Sequence, residues 1–182
     1  MKRVIIGISG ASGAGLGLKF LKSLPCEIEK YCVMTKGARE VLRLEEGVGE
    51  FDFKKIWNLK LLDDEDLGAC IASGSFVCEA MAVIPCSSDV LAKIACGISD
   101  TLLLRAASVV IKEKRKLLLG VREMPLSAIM LENMLKLSHL GVVIAPPIFG
   151  YYAGRSMEEI ENLLIGKWCD SLGIACDYKR WE

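Results

Sequence analysis

The sequence predicts a three-layer αβα protein built on a parallel sheet, folded as one domain over residues 1–182. Short, β-branched apolar runs alternate with longer segments that carry apolar residues at helical spacing, which is typical of successive βαβ units. The short runs are continuously apolar, as expected for strands that helices cover on both faces. A chain of 182 residues is also of the size that one hydrophobic core serves.

Each element follows from these patterns. The predicted strands are residues 4–8, 28–34, 80–85, 116–121 and 142–145. The predicted helices are residues 14–24, 36–44, 88–96, 101–114, 127–138 and 157–172. Pro25 ends the first helix, and Thr35 is the expected N-cap of the second. Residues 46–75 give no clear pattern, and we interpret the acidic run 63–66 as a solvated turn.

The charge balance argues against several classes of partner. The 23 Lys and Arg residues equal the 23 Asp and Glu residues, so neither nucleic acid nor an anionic membrane surface is indicated. No apolar stretch approaches the roughly 20 residues of a spanning helix, and the run at residues 4–8 is too short for a signal peptide. We expect a cytoplasmic protein and, because 52% of the residues are apolar and the net charge is zero, a homo-oligomer that buries apolar surface between subunits.

The eight cysteines do not form a recognisable metal or disulfide pattern. They lie inside apolar runs, without C-x-x-C spacing, in a chain with one histidine. We therefore expect reduced, buried thiols in the cytosol and no zinc site. Cys86 is the one cysteine within a motif, and a structural role is the stronger reading for it as well.

Two small-residue motifs each follow a predicted strand and open a helix. The first is GISGASGA at 7–14, which lacks both the lysine of a P-loop and G-x-G-x-x-G spacing. Its backbone N–H groups and hydroxyls favour a phosphate or a flavin edge over an empty turn. The second is PCSSD at 85–89, whose serines are equally well explained as helix caps. In parallel sheets ligands bind at this carboxyl edge.

Charged and aromatic residues follow the later strands. Arg122 and Glu123 come directly after a buried strand, where a carboxylate beside cations can relay a proton to a bound phosphate. Tyr151 and Tyr152 follow two prolines at the end of the last strand. His139 ends a helix and is interpreted as a capping residue, not a catalyst.

With these residues in place, the chain resembles the flavin prenyltransferase family of the UbiX type over nearly its whole length. The matching stretches are GISGASGA at 7–14, PCSSD at 85–89, GISDTLLLRAASVVIKEKRKL at 97–117, REMPLS at 122–127 and LENMLKLSHLG at 131–141. The resemblance implies a Rossmann-like flavoprotein, typically a homododecamer, with FMN bound between subunits. It implies metal-independent transfer of a dimethylallyl group from dimethylallyl phosphate to N5 and C6 of reduced FMN. Prenylated FMN would then serve a UbiD-type decarboxylase, for example in ubiquinone biosynthesis.

The resemblance also implies roles for individual residues. The implied catalytic residues are Ser12, Glu45 and Glu123. The implied flavin contacts are Gly10, Ala11, Ser12, Thr35, Ser87, Ser88, Asp89, Val90 and Arg105. The implied contacts to dimethylallyl phosphate are Lys112, Arg122, Tyr152, Lys167 and Trp181, partly from neighbouring subunits.

The chain departs from the family pattern at three places. Val90 stands where relatives usually have threonine, which removes one hydroxyl contact to flavin. The segment after Tyr152 lacks the usual proline, and Lys167 stands where arginine is also common. Lysine keeps the charge but loses bidentate geometry toward phosphate.

Three other functions remain as alternatives. An FMN-dependent cysteine decarboxylase of the same fold would need a catalytic histidine in the cleft, which His139 is not expected to supply. A non-catalytic FMN-binding protein would not need a second phosphate cradle. Direct decarboxylation of aromatic acids has no dedicated group in this sequence.

Overall fold

The computed structural model describes residues 2–47 and 53–180. These residues form one six-stranded sheet with helices on both faces. The strands of the described residues are β1 (Arg3–Ile8), β2 (Glu29–Met34), β3 (Leu59–Asp63), β4 (Ala80–Cys86), β5 (Lys116–Val121) and β6 (Val143–Ile144). The helices are α1 (Ala14–Ser23), α2 (Lys36–Glu46), α3 (Ser88–Cys96), α4 (Leu102–Lys112), α5 (Ala128–His139) and α6 (Met157–Leu172). Short 3₁₀ helices span Cys70–Ala72 and Tyr151–Ala153.

The sheet is parallel throughout and has the order β3-β2-β1-β4-β5-β6. Helices α1, α2 and α6 pack on one face, and α3, α4 and α5 pack on the other. This confirms the predicted Rossmann-like, three-layer αβα class. The order reverses between the adjacent strands β1 and β4, and in open α/β sheets that reversal creates a crevice for ligands.

The strand β3 was missing from the sequence prediction, which took residues 80–85 as the third strand. Its residues, Leu59–Asp63, are only partly buried because β3 is an edge strand that pairs with β2 alone. The reduced burial leaves a weak hydrophobic signal, and the strand falls within the segment for which no pattern was found.

The interpretation of residues 63–66 as a solvated turn was wrong for Asp64, whose side chain is buried. Its Oδ1 accepts a hydrogen bond from the Leu103 amide at 2.8 Å, and its carbonyl accepts one from the Leu102 amide, also at 2.8 Å. Asp64 therefore caps the N-terminus of α4 from a distant part of the chain. Burial raises the pKa of this carboxyl despite the amide hydrogen bond.

Two substitutions at Asp64 should distinguish the effect of the helix cap on stability from the effect of the carboxylate charge. We expect Asp64→Ala to lower the free energy of unfolding by about 1–2 kcal/mol, as for other lost helix caps, whereas Asp64→Asn keeps an acceptor and should not. Because the pKa of Asp64 is raised in the folded chain, ionisation of its carboxyl favours the unfolded chain. The wild type should therefore lose stability relative to Asp64→Asn as the pH rises above 3.8, the ordinary pKa of an aspartate side chain. Urea unfolding at several pH values measures both effects; identical pH profiles for wild type and Asp64→Asn would contradict this account.

Within the described residues, no helix has the length and apolarity needed to cross a bilayer.

Candidate functional site

The two small-residue motifs meet at the strand-order reversal, and Ser9 joins them. Ser9 is fully buried, and its hydroxyl donates to the Pro85 carbonyl at 2.8 Å. The Ser87 amide donates back to the Ser9 hydroxyl at 2.7 Å. One side chain thus fixes the turn after β1 against the turn after β4. Ser9 was absent from the predicted site, although its place inside the first motif was a usable signal.

A cavity of about 790 Å³ opens beside these turns. It is within the size range of cofactor sites. Six predicted flavin contacts line it: Gly10, Thr35, Ser87, Ser88, Asp89 and Val90. Sequence reasoning missed the remaining lining residues, which are Met34, Lys36, Gly37, Arg39, Asp63, Asp64, Glu65, Lys93, Thr101 and Leu104.

Two helix N-termini contribute to the cavity wall. Thr35 caps α2 by accepting from the Ala38 amide at 3.1 Å, which confirms the predicted cap. Ser87 caps α3 by accepting from the Val90 amide at 3.4 Å. The positive ends of both helix dipoles therefore favour an anionic group in this cavity.

Close packing of Gly10 on Gly37 holds these walls together. A Cβ atom at Gly10 would lie 3.0 Å from the Gly37 Cα and carbonyl carbon. The turn after β1 therefore approaches the start of α2 backbone to backbone, and only a glycine fits there without displacement.

The cavity has acidic as well as basic walls. Asp63, Asp64 and Glu65 lie at the end of β3. Lys93 pairs with Asp89 at 3.4 Å and approaches Asp100 at 3.9 Å. A bound anion is thus favoured near the helix N-termini and disfavoured at the β3 end.

Next to the turn after β1, three predicted site residues from different elements come together, and none of the three is among the residues that line the large cavity. The Glu45 carboxylate accepts a hydrogen bond from the Gly13 amide at 2.8 Å and another from the Ser12 hydroxyl. These bonds, Ser12 first, together with the charge of Arg122, hold the pKa of Glu45 below its usual range. Arg122 is anchored by its amide, which donates to the Cys86 carbonyl at 3.0 Å. In the sequence Ser12 and Arg122 belong to two different motifs and Glu45 to none, and the fold brings the three residues together.

Glu123 lies next to this cluster in sequence and is exposed. Its Oε1 accepts from the Met124 amide at 3.0 Å, so a short local bond holds the carboxylate near the end of β5. Tyr152 and Lys167 share a second cavity, of about 240 Å³, with Pro146, Leu163 and Trp168 among its walls.

The structure places other predicted residues apart from the large cavity. The Arg105 Nε donates to the Ala72 carbonyl at 3.1 Å. Lys112 ends α4, four residues before β5 begins, and pairs with Glu113. It therefore lies toward the amino edge of the sheet, opposite the motifs. Trp181 lies outside the described residues.

Neither Cys86 nor His139 is placed as a catalytic residue within one chain. Cys86 is fully buried, and burial raises the pKa of its thiol well above the usual range. His139 is the last residue of α5 and is exposed. Among the residues that the structure describes, no group of three His, Cys, Asp or Glu side chains could hold a metal ion.

The chain is a Rossmann-like flavoprotein: the Flavoprotein family model matches residues 1–167, in agreement with the strand-order reversal and the cavity beside it. It belongs to the UbiX flavin prenyltransferase family, as the sequence resemblance indicated. Flavin prenyltransferase UbiX of Campylobacter jejuni is 46% identical over 187 residues, which cover 99% of this chain and 98% of that protein.

Two solved structures show the same fold. The crystal structure of AnUbiX (PadA1) in complex with FMN and dimethylallyl pyrophosphate has a TM-score of 0.95 and 35% identity, covering 100% of this chain and 97% of the other. The dodecameric FMN-dependent Ubix-like decarboxylase from Escherichia coli O157:H7 has a TM-score of 0.94 and 40% identity, covering 99% of each chain.

Proposed function

We propose that this chain, as a single flavin-binding domain, transfers a dimethylallyl group from dimethylallyl phosphate to N5 and C6 of reduced FMN without a metal. The observation that carries the proposal is the cluster of a hydroxyl, a carboxylate and a cation formed by Ser12, Glu45 and Arg122. It lies at the turn whose Gly10 lines the cavity of about 790 Å³. The matched UbiX relatives support the same activity.

The large cavity would hold FMN. Its phosphate fits the positive ends of α2 and α3, near Thr35, Ser87 and Ser88. Gly10 lets the flavin approach the backbone, and Val90 supplies an apolar wall where a hydroxyl is usual in relatives. The acidic end of the cavity disfavours the phosphate, so one orientation of FMN in the cavity would be preferred.

Ser12 and Glu45 would fix the reacting edge of the flavin. A Ser12 hydroxyl that donates to Glu45 would have its oxygen lone pairs left to accept a hydrogen bond from the flavin. The lowered pKa of Glu45 keeps that carboxylate ionised at neutral pH, so the hydroxyl orientation is maintained. Reduced FMN supplies the nucleophilic positions N5 and C6 that become joined to the dimethylallyl group.

The cations would stabilise the departing phosphate. Positive charge would come from Lys112, Arg122 and Lys167, and a hydroxyl donor from Tyr152. Glu123 would transfer a proton to or from the leaving phosphate. Lys112 lies near the opposite edge of the sheet from Arg122 within one chain, so these groups would converge only across subunits. Trp181 would close the pocket.

Assembly into a homo-oligomer is therefore part of the proposal, with the dodecamer of the Escherichia coli relative as the expected form. Helix α5 presents large apolar side chains that one subunit leaves exposed, including Ile129 at 71% and Leu135 at 60%. Such a face favours burial against other subunits. Prenylated FMN would pass to a UbiD-type decarboxylase.

The test is direct. Incubation with reduced FMN and dimethylallyl phosphate without oxygen should give a flavin heavier by one C5 unit on mass spectrometry, and the product should activate a UbiD-type apo-decarboxylase. Parallel reactions with dimethylallyl pyrophosphate, with oxidised FMN and without donor serve as controls. If FMN binds but stays unmodified with both donors, the non-catalytic flavin-binding alternative replaces the proposal.

A further inference from the structure

The chain after α6 turns back and runs along the same helix. Gly173 ends α6 in the left-handed conformation, with φ 75°. Ile174 is buried, and Cys176 packs against the core cluster that contains Cys169. We call residues 174–180 the C-terminal strap.

Tyr178 of the strap lies directly on the backbone of α6 at Gly166. A Cβ atom at Gly166 would be only 2.2 Å from the Tyr178 ring carbons Cγ and Cδ1. The Tyr178 hydroxyl donates to Asp170 Oδ2 at 2.5 Å. The strap is therefore fitted to this helix by shape as well as by hydrogen bonding.

Arg180 completes the contact with two hydrogen bonds to Asp170, at 2.7 Å to Oδ2 and 2.9 Å to Oδ1. Its guanidinium also stacks on the Tyr178 ring, 4.4 Å from the centroid. Arg180 first and Tyr178 second lower the pKa of Asp170 to about 2. The Asp170 carboxylate thus remains ionised and has both oxygens engaged by the strap.

This contact lies on the part of α6 that carries Lys167. Asp170 follows Lys167 by one helical turn, and the Lys167 charge acts on the Asp170 carboxylate. Within the described residues, Lys167 itself makes no ion pair. Tyr178 lies near Tyr152, and Tyr152 shares a cavity with Lys167.

We propose that the strap keeps Lys167 available to the allylic phosphate by holding Asp170 in its contact with Arg180 and Tyr178. Arg180 is then a positioning residue, which acts on Lys167 by holding the Asp170 carboxylate away from it. Without Arg180, the Asp170 carboxylate would turn to Lys167, its neighbour one turn away, and neutralise the cation that the phosphate needs. This inference rests on the proposed function.

Steady-state kinetics of three variants test it. Arg180→Met should raise KM for dimethylallyl phosphate about 3-fold to 5-fold, the scale on which an exposed ion pair one helical turn apart would compete for Lys167, with kcat and the FMN Kd within about 2-fold of wild type. The double variant Arg180→Met with Asp170→Asn should recover most of that loss, because the competing carboxylate is gone. Asp177→Asn, which removes an exposed strap carboxylate with no hydrogen bond to the described residues, is the matched control and should match wild type.

Thermal unfolding and oligomer size establish that each variant is folded. Tyr178→Phe, which removes only one hydroxyl, gives a milder second variant and should raise KM in the same direction. A wild-type KM in Arg180→Met, or a double variant as impaired as the single one, overturns the strap proposal alone. An inactive wild type overturns the proposed function and this inference with it.

Discussion

Replacing Glu123 with glutamine is expected to lower the rate of prenyl transfer by about 100-fold or more, the usual scale for a lost proton-transfer group. Glutamine keeps the size and the hydrogen-bond acceptor for the Met124 amide but cannot exchange a proton with the leaving phosphate. Single-turnover formation of the heavier flavin, followed anaerobically, measures the rate. The Kd for FMN should change by less than about 2-fold, because the carboxylate lies outside the cavity wall.

Glu158→Gln provides the matched control, since Glu158 is an exposed carboxylate in the first turn of α6. A Glu123→Gln enzyme with wild-type turnover would remove Glu123 from the mechanism. The role would then pass to Glu45, the other carboxylate of the proposed site.

Gly17→Ala is expected to have the largest effect on folding. A Cβ atom at Gly17 would lie 2.2 Å from the Ile84 carbonyl oxygen, so α1 would have to move away from β4. Overpacking of this kind costs about 3 kcal/mol, far more than the helix propensity of alanine returns. Urea unfolding should show this loss in the free energy of unfolding.

The same substitution should weaken FMN binding about tenfold or more, because α1 and β4 each adjoin one of the two cavity motifs and a small displacement separates them. Gly68→Ala is the control; its new Cβ would meet only the flexible Asp66 carboxylate, at 3.2 Å. Wild-type stability of Gly17→Ala would contradict the close contact between α1 and β4 at Gly17 and Ile84.

Much of the architecture was predictable because buried parallel strands and amphipathic helices have strong sequence patterns. Helices α3 and α6 and strand β5 have their predicted bounds. The Thr35 cap was also predicted, because threonine is one of the residues preferred at a helix N-cap. Motifs that directly follow strands identified the edge of the sheet at which the cavity lies.

What escaped prediction depends on contacts between distant parts of the chain. Ser9 bridges to residue 85, and Asp64 caps a helix that begins 38 residues later; local patterns carry neither relation. The roles assigned to Lys112 and Trp181 stay predictions. The first needs a neighbouring subunit, and the second lies outside the described residues.

The enclosure of Cys86 has a consequence for the durability of the enzyme. Reduced flavins react with oxygen to give peroxide, and peroxide attacks thiolates far faster than thiols. At the end of β4 the sulfur is sealed from solvent and kept protonated. With reduced FMN bound in the proposed site, the burial of Cys86 would protect its thiol from oxidation by that peroxide.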